Sequence, residues 1–357
     1  MLLVTNKLED SPIGGREMLC KMNHDMLKES YGDQCVVFEL EKKPIQRVRS
    51  IICAFKGDID GLSTATIALV LQEIQRKEIR QVFVDGSNLG EVVRAIKRNF
   101  PKVQVCTFFH NVESRFFLGA LKQTKTLQAM AVFVVNYLAE RKSVHYSDKI
   151  ICLNTRDSAL LNRVYGKPAT HISAMALLDK LPVDSPSSPK EPKEKFALFV
   201  GGVFYANRAG ITWFVDNVVP HIEVKTCIVG RGFEELKEEL SVEGKVDVIG
   251  EVESLAQWYR DAHFVIAPIF DGSGMKTKVA EALMFGKKII GTPEAFTGYE
   301  EIADNAGRVC SSVDEFVTAI KSADEMVNGG FDLELRAIYE EKYSYTAAKS
   351  QLKNILI

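Results

Sequence analysis

Short apolar runs alternate with longer stretches of helical periodicity along almost the whole chain. The runs predict strands at Leu2–Thr5, Cys35–Leu40, Ile51–Phe55, Gln81–Asp85, Val103–Phe109 and Lys149–Leu153. A second series is predicted at Phe196–Gly201, Lys225–Val229, Val246–Ile249, Phe264–Pro268, Lys288–Gly291 and Gly307–Cys310. Between the two series lies LPVDSPSSPKEPKEK, residues 181–195, rich in proline, serine and lysine and poor in apolar side chains. That is a linker composition. Alternation of strand and helix on both sides of it predicts an α/β chain with two doubly wound parallel sheets. The expected division is a first domain over 1–180, the linker, a second domain over 196–332 and closing helices over 333–357.

Composition narrows the class without changing the architecture. A length of 357 residues suits two domains that each bury a core, and 46% hydrophobic with 26% charged residues is ordinary for a soluble globular chain. A net charge of −2 sets up no field for nucleic acid. The seven cysteines include no CxxC pair and the six histidines no zinc spacing, which fits reduced thiols in a cytoplasm. The start, MLLVTNKLEDSP, reads as a strand opening a domain, too short and too soon acidic for a signal peptide. The longest apolar stretch, Leu127 to Leu138, falls well short of the ~20 residues a membrane span needs.

The richest chemistry lies in DGSGMKTKVAEALMF, Asp271 to Phe285, directly after an apolar strand. Gly272, Ser273 and Gly274 make a turn that feeds a helix, with Gly286 placed as its C-cap. A helix start offers unpaired N–H groups and the positive end of a dipole. Lys276 and Lys278 add cations there, against the dipole, which points to an anion between them, best a phosphate or diphosphate. Glu281, three residues after Lys278, lies on nearly the same face and suits sugar hydroxyls beside the phosphate. The competing reading is an amphipathic helix with a solvated charged face.

Other loops leave strand ends in places that suit a ligand. Gly14-Gly15 follows the first strand, as a close backbone approach or a plain tight turn. His110, in FHNVESR, ends a buried strand and suits a bound sugar or a structural bond to backbone. Gly201-Gly202 precedes a helix on which Arg208 suits a diphosphate or a surface position. Val229-Gly230-Arg231-Gly232 lacks the third glycine and the acidic partner of a dinucleotide loop. Asp58 and Asp60, in KGDIDGLS, read as turn residues rather than metal ligands.

Taken together these segments resemble the GT-B glycosyltransferases, in particular the large retaining family (family 4-like) of bacterial mannosyl-, capsule- and exopolysaccharide transferases. The phrases are FVGGVFYANRAGITWFV, CIVGRGFEELKEEL, VDVIGEVESLAQWYRDAHFVIAPI and DGSGMKTKVAEALMFGKKIIGTPEAFTGYE, in the family's order. In the first half FFHNVE and YSDKIICLNTRDSALLNRVYG match more loosely. The resemblance implies a GT-B fold, two Rossmann-like domains facing a central cleft. It implies transfer of a sugar from a nucleotide-diphosphate sugar, of the UDP or GDP type, to a hydroxyl of a glycan or glycolipid. Retention of configuration, no metal and no cofactor beyond the donor are implied as well. Donor contacts are expected at Gly202, Gly250, Ser273, Gly274, Met275 and Glu281, the last on the ribose. Lys276, Lys278 and Arg208 are expected to stabilise the leaving diphosphate, and His110, Gly14 and Gly15 to lie on the sugar and acceptor side. Ser273 stands where many members carry a first glutamate. The alternatives are a non-catalytic nucleotide-sugar-binding subunit of a transferase complex and a GT-B sugar-nucleotide epimerase.

Residues 115–142 interleave Arg115, Lys122, Lys125, Arg141 and Lys142 with Phe116, Phe117, Leu118, Leu121, Leu127, Met130 and Phe133. The pattern fits an interfacial surface, which would place the protein peripherally at the inner face of the cell membrane near a lipid-linked acceptor, and equally a core helix pair with solvated lysines.

Overall fold

The computed structural model describes residues 1–9, 15–41, 54–55, 57–181, 194–272, 274–327 and 330–357. The chain divides into two compact units, Met1–Ala174 with Lys349–Ile357, and Met175–Ala348.

The first unit holds a parallel sheet in the order β2-β1-β3-β4-β5-β6. Its strands are β1 (Leu2–Asn6), β2 (Val36–Leu40), β3 (Gln81–Asp85), β4 (Gln104–Phe109), β5 (Lys149–Cys152) and β6 (His171–Ile172). β1 is buried at every position, as a central parallel strand covered on both faces must be. The expected strand at Ile51–Phe55 lies mostly outside the described residues, and Ala54 and Phe55 sit in a helical turn. The helix Thr64–Arg76 starts in a capping box between Ser63 and Thr66, and Thr155–Tyr165 starts on the Asn154 side chain.

The second unit holds the order β12-β11-β10-β7-β8-β9, also parallel. Its strands are β7 (Phe196–Val200), β8 (Lys225–Val229), β9 (Val246–Gly250), β10 (Phe264–Ala267), β11 (Ile289–Gly291) and β12 (Gly307–Val309). Counted from β7 this is the 3-2-1-4-5-6 order of dinucleotide-binding folds. At the edge, β9 alternates buried Val246 and Val248 with exposed Asp247 and Ile249.

Hydrogen bonds explain why the two units do not part at the linker. Leu177 donates its N–H to Tyr343 at 2.9 Å and accepts from the Tyr339 hydroxyl at 2.8 Å, both within the second unit. Residues 349–357 return to the first unit, where the Gln81 and Lys149 side chains donate to the carbonyls of Leu356 and Ile355. Sheet order also fixes where ligands belong, at strand carboxyl ends beside the reversal of order. These points are β1/β3 in the first unit and β7/β10 in the second.

Candidate functional site

In the second unit, β10 leads through the glycine turn to the helix Thr277–Met284, whose N-cap is Lys276 and whose start no side chain caps. Ser273 lies outside the described residues. Gly274 has φ +65°, and Gly286 takes φ +57° beyond the helix, as its place in the sequence predicts. Lys278 is only 5% exposed. Its Nζ lies 4.2 Å from the centroid of the Phe199 ring and 3.0 Å from the Asn207 Oδ1. Burial, and then the nearby Lys276, bring its ammonium down to about 7, while Glu281 opposes the shift. Asn207 also donates its Nδ2 to the Gly202 carbonyl at 2.8 Å. A side chain at Gly201 would approach that Nδ2 to 2.5 Å, so the bare backbone there lets Asn207 and Lys278 meet.

Lys276 turns away from this pair. Its Nζ binds Glu294 at 2.9 Å and the Gly274 carbonyl at 3.1 Å. Glu281 is buried, accepts the Tyr259 hydroxyl at 2.9 Å and lies 3.4 Å from the Lys180 Nζ. Met275 is buried, with its sulfur 3.4 Å from the Met175 N–H. Gly250 ends β9 and accepts the Gly230 N–H at 2.7 Å, tying together the loops after β8 and β9. Arg208 does not join the cluster. It is half exposed and paired with Glu239 at 3.0 Å. The helix Tyr205–Asn217 thus offers Asn207 to Lys278 and Arg208 to the surface.

The first unit carries a second polar cluster at its own β1/β3 point. His110 is buried, with Nε2 2.9 Å from the Asp85 Oδ1 and 3.6 Å from the Cys20 Sγ. Asp85, fully buried, also accepts Asn23 at 3.0 Å and Thr5 at 3.3 Å. The ligand-type atoms of Cys20, Asp85 and His110 lie within 4.8 Å of one another and are joined here by hydrogen bonds. Arg16 binds Asp60 at 2.9 Å and approaches Glu113 to 3.8 Å. Asp60, in its turn at φ +49°, is therefore also an ion-pair partner. Gly15 begins the helix Gly15–Tyr31 and is exposed, while Gly14 lies outside the described residues.

Burial pushes the Glu113 carboxyl up to about 7, and the Arg16 guanidinium opposes this. The folded form then holds its proton above the unfolded value, so stability is lost as pH rises from about 4.5 to about 7. Glu113→Gln should match the parent at pH 4 and exceed it by ~1–3 kcal/mol at pH 8. Urea melts at both pH values check this; equal stability at pH 8 contradicts it.

The architecture comes first in placing the molecule. Two parallel Rossmann-like units in one chain define the GT-B fold, and solved structures match it throughout. Sucrose-phosphate synthase from Thermosynechococcus elongatus aligns at 15% identity and TM-score 0.73, over 99% of this chain and 98% of that one. Anabaena HepE in complex with UDP aligns at 13% and 0.69, over 99% of each chain. The lipopolysaccharide outer core galactosyltransferase WaaB aligns at 14% and 0.66, over 99% and 98%. At such identities the likeness shows the fold alone.

Residues 194–325, within the second unit, match the family described as glycosyl transferases group 1. No curated protein sequence matches the chain.

Proposed function

We propose that the protein moves a sugar from a nucleoside-diphosphate sugar to a hydroxyl of a glycan or lipid-linked glycan, with retention and without a metal. One observation carries the reading: the buried Lys278 ammonium, held by the neutral Asn207, stands at the uncapped start of a helix where the sheet order reverses. A diphosphate there gains a cation and helix N–H groups that are already in place. Glu281, oriented by Tyr259, suits the ribose hydroxyls. The HepE structures hold UDP and UDP-glucose, which supports a uridine donor. WaaB, a lipopolysaccharide galactosyltransferase, supports a glycan acceptor.

In the transfer step the bond between the sugar's anomeric carbon and the diphosphate breaks, and charge grows on the leaving oxygen. Lys278 and the helix N–H groups stabilise it there. The acceptor hydroxyl attacks on the same face, and its proton passes to the departing phosphate oxygen. No carboxylate base is needed. His110, held by Asp85 on Nε2, serves to position a sugar hydroxyl.

UDP, UDP-glucose, UDP-galactose and GDP-mannose should be tested as thermal stabilisers of the purified chain. A true donor nucleotide at 100 times its Kd adds ~2.7 kcal/mol. No response to any of them, with no transfer or hydrolysis, defeats the reading.

Donor affinity should also depend on pH. A bound diphosphate raises the Lys278 value above its free value of about 7. Binding is then level below pH 7 and weakens above it, by up to ~10-fold per unit while a proton must be taken up. Calorimetry with UDP from pH 6 to 8.5, in buffers of different ionisation enthalpy, measures both. A constant Kd and no proton uptake would exclude Lys278 as the phosphate's cation.

A further inference from the structure

Three elements of the first unit bring a sulfur, a ring nitrogen and a carboxylate oxygen to one buried point. Cys20 comes from the helix Gly15–Tyr31, Asp85 from the last position of β3, and His110 from the residue after β4. All three side chains are buried, Asp85 fully. They stand far apart in the chain, which is why no zinc spacing marks them there; the order of the strands assembles them.

Hydrogen bonding alone serves this cluster incompletely. The His110 Nε2 stands 2.9 Å from the Asp85 Oδ1 and 3.6 Å from the Cys20 Sγ. One ring nitrogen carries a single proton or a single lone pair, so it serves only one of these partners fully. Asp85 receives its other hydrogen bonds from neutral groups, the Asn23 amide at 3.0 Å and the Thr5 hydroxyl at 3.3 Å. Its one ion-pair partner among the described residues is His110, charged only when protonated. Arg16 is engaged by Asp60 and Glu113. A carboxylate this deep calls for a cation, because burying an unanswered charge is costly.

The donor set says which cation. Thiolate, imidazole and carboxylate together suit zinc, whereas magnesium and calcium take oxygen ligands. Tetrahedral zinc, with bonds of ~2.0–2.3 Å, keeps its ligand atoms roughly 3.3–3.7 Å apart. The 3.6 Å between Cys20 and His110 already has that value. The Asp85 oxygen needs to draw back from His110 by about half an ångström. Charge closes as well: a divalent ion with one thiolate and one carboxylate is neutral, the form that burial favours. Thr5 and Asn23, bonded to the Asp85 carboxylate, are the outer groups that orient a ligand of such a site.

We propose that Cys20, Asp85 and His110 form a zinc site in the first unit, with water as the fourth ligand. On binding, the Cys20 thiol gives its proton to solvent. The sulfur, the His110 Nε2 and the Asp85 oxygen each form a bond to the metal, and no electron is transferred. This ion is separate from the transfer step, whose diphosphate is assigned to Lys278 of the second unit. Because His110 is a ligand, occupancy also restrains the ring assigned above to a sugar hydroxyl.

The test is titration of zinc into the full chain, stripped with a chelator and kept reduced, against a chromophoric zinc indicator. The parent should bind one zinc per chain and melt at a higher temperature in zinc than in magnesium. Cobalt in place of zinc should give the near-ultraviolet charge-transfer band of a cobalt–thiolate bond. Thr5→Val leaves every ligand in place and should weaken zinc by about 10–100-fold, the usual loss when a group that orients a ligand is removed. Cys20→Ser should lose the cobalt band and weaken zinc further; if it does not fold, the parent's cobalt spectrum and Thr5→Val decide. No zinc bound by the parent, or cobalt bound without the thiolate band, overturns the inference. So does equal zinc affinity in the parent and in Cys20→Ser, which marks adventitious binding elsewhere. Stabilisation by UDP, measured in chelator, reads the donor site alone, so the two readings fail separately.

Discussion

Lys278→Met should lower turnover by about 10²–10³-fold, the usual loss when one charge-stabilising group leaves a preorganised site. Methionine keeps an unbranched stem against Phe199 and removes only the charge, so the unliganded fold should be no less stable. Burying an ammonium with a single neutral partner is costly, and the substitution relieves that cost. The nucleotide's thermal stabilisation should vanish with the activity. Asn207→Ala is the companion, because it removes the oxygen that aims the ammonium. A hydrogen bond to a charged group contributes ~1.5–3 kcal/mol, so binding should weaken about tenfold or more. Steady-state kinetics and UDP titrations read both variants. Parent-like turnover in Lys278→Met would remove the basis for the proposed donor site.

Gly210→Ala should be strongly damaging to the second unit. Gly210 lies in the helix Tyr205–Asn217, and a Cβ there would sit 1.8 Å from the Pro268 carbonyl oxygen. That oxygen is backbone at the exit of β10, so no rotamer change relieves the clash. The helix must move outward, at the upper end of the ~1–3 kcal/mol that overpacking costs. For a unit of this size Tm should fall by roughly 6–12 °C. Because the same helix carries Asn207, the shift also draws that side chain from Lys278. UDP affinity should drop together with stability, measured by calorimetry and thermal melts. An unchanged melt would show that the helix and the β10 exit are not in tight contact.

The strands were legible because a buried parallel strand is a local apolar run with turn residues at its ends. Gln81–Asp85 and Lys225–Val229 have the predicted bounds, and most others differ by a residue or two. β6 was not legible, since His171 and Ile172 make no run at all. Partner choice was harder to read than position. Lys276 and Lys278 look equivalent in the sequence, yet Lys276 is the extended N-cap and Lys278 lies within the first helical turn, so their side chains leave in different directions. One therefore meets Glu294 and the other Asn207. Asn207 carried no signal beyond its place next to Arg208, and an arginine draws the eye wherever a phosphate is expected. Asp85, Arg16 and Glu113 gain their meaning from the sheet order, which brings together the exits of β1, β3 and β4. The tie between Leu177 and Tyr343, which sets the edge of the second unit, spans too much sequence for any local pattern to announce it.

The return of residues 349–357 to the first unit bears on how the protein is made. On the ribosome, residues 1–174 emerge early, yet the side chains of Gln81 and Lys149 wait for carbonyls at 355 and 356. The second unit has all of its own residues sooner, by position 348. Maturation thus runs against the usual order, in which the segment synthesised first is finished first.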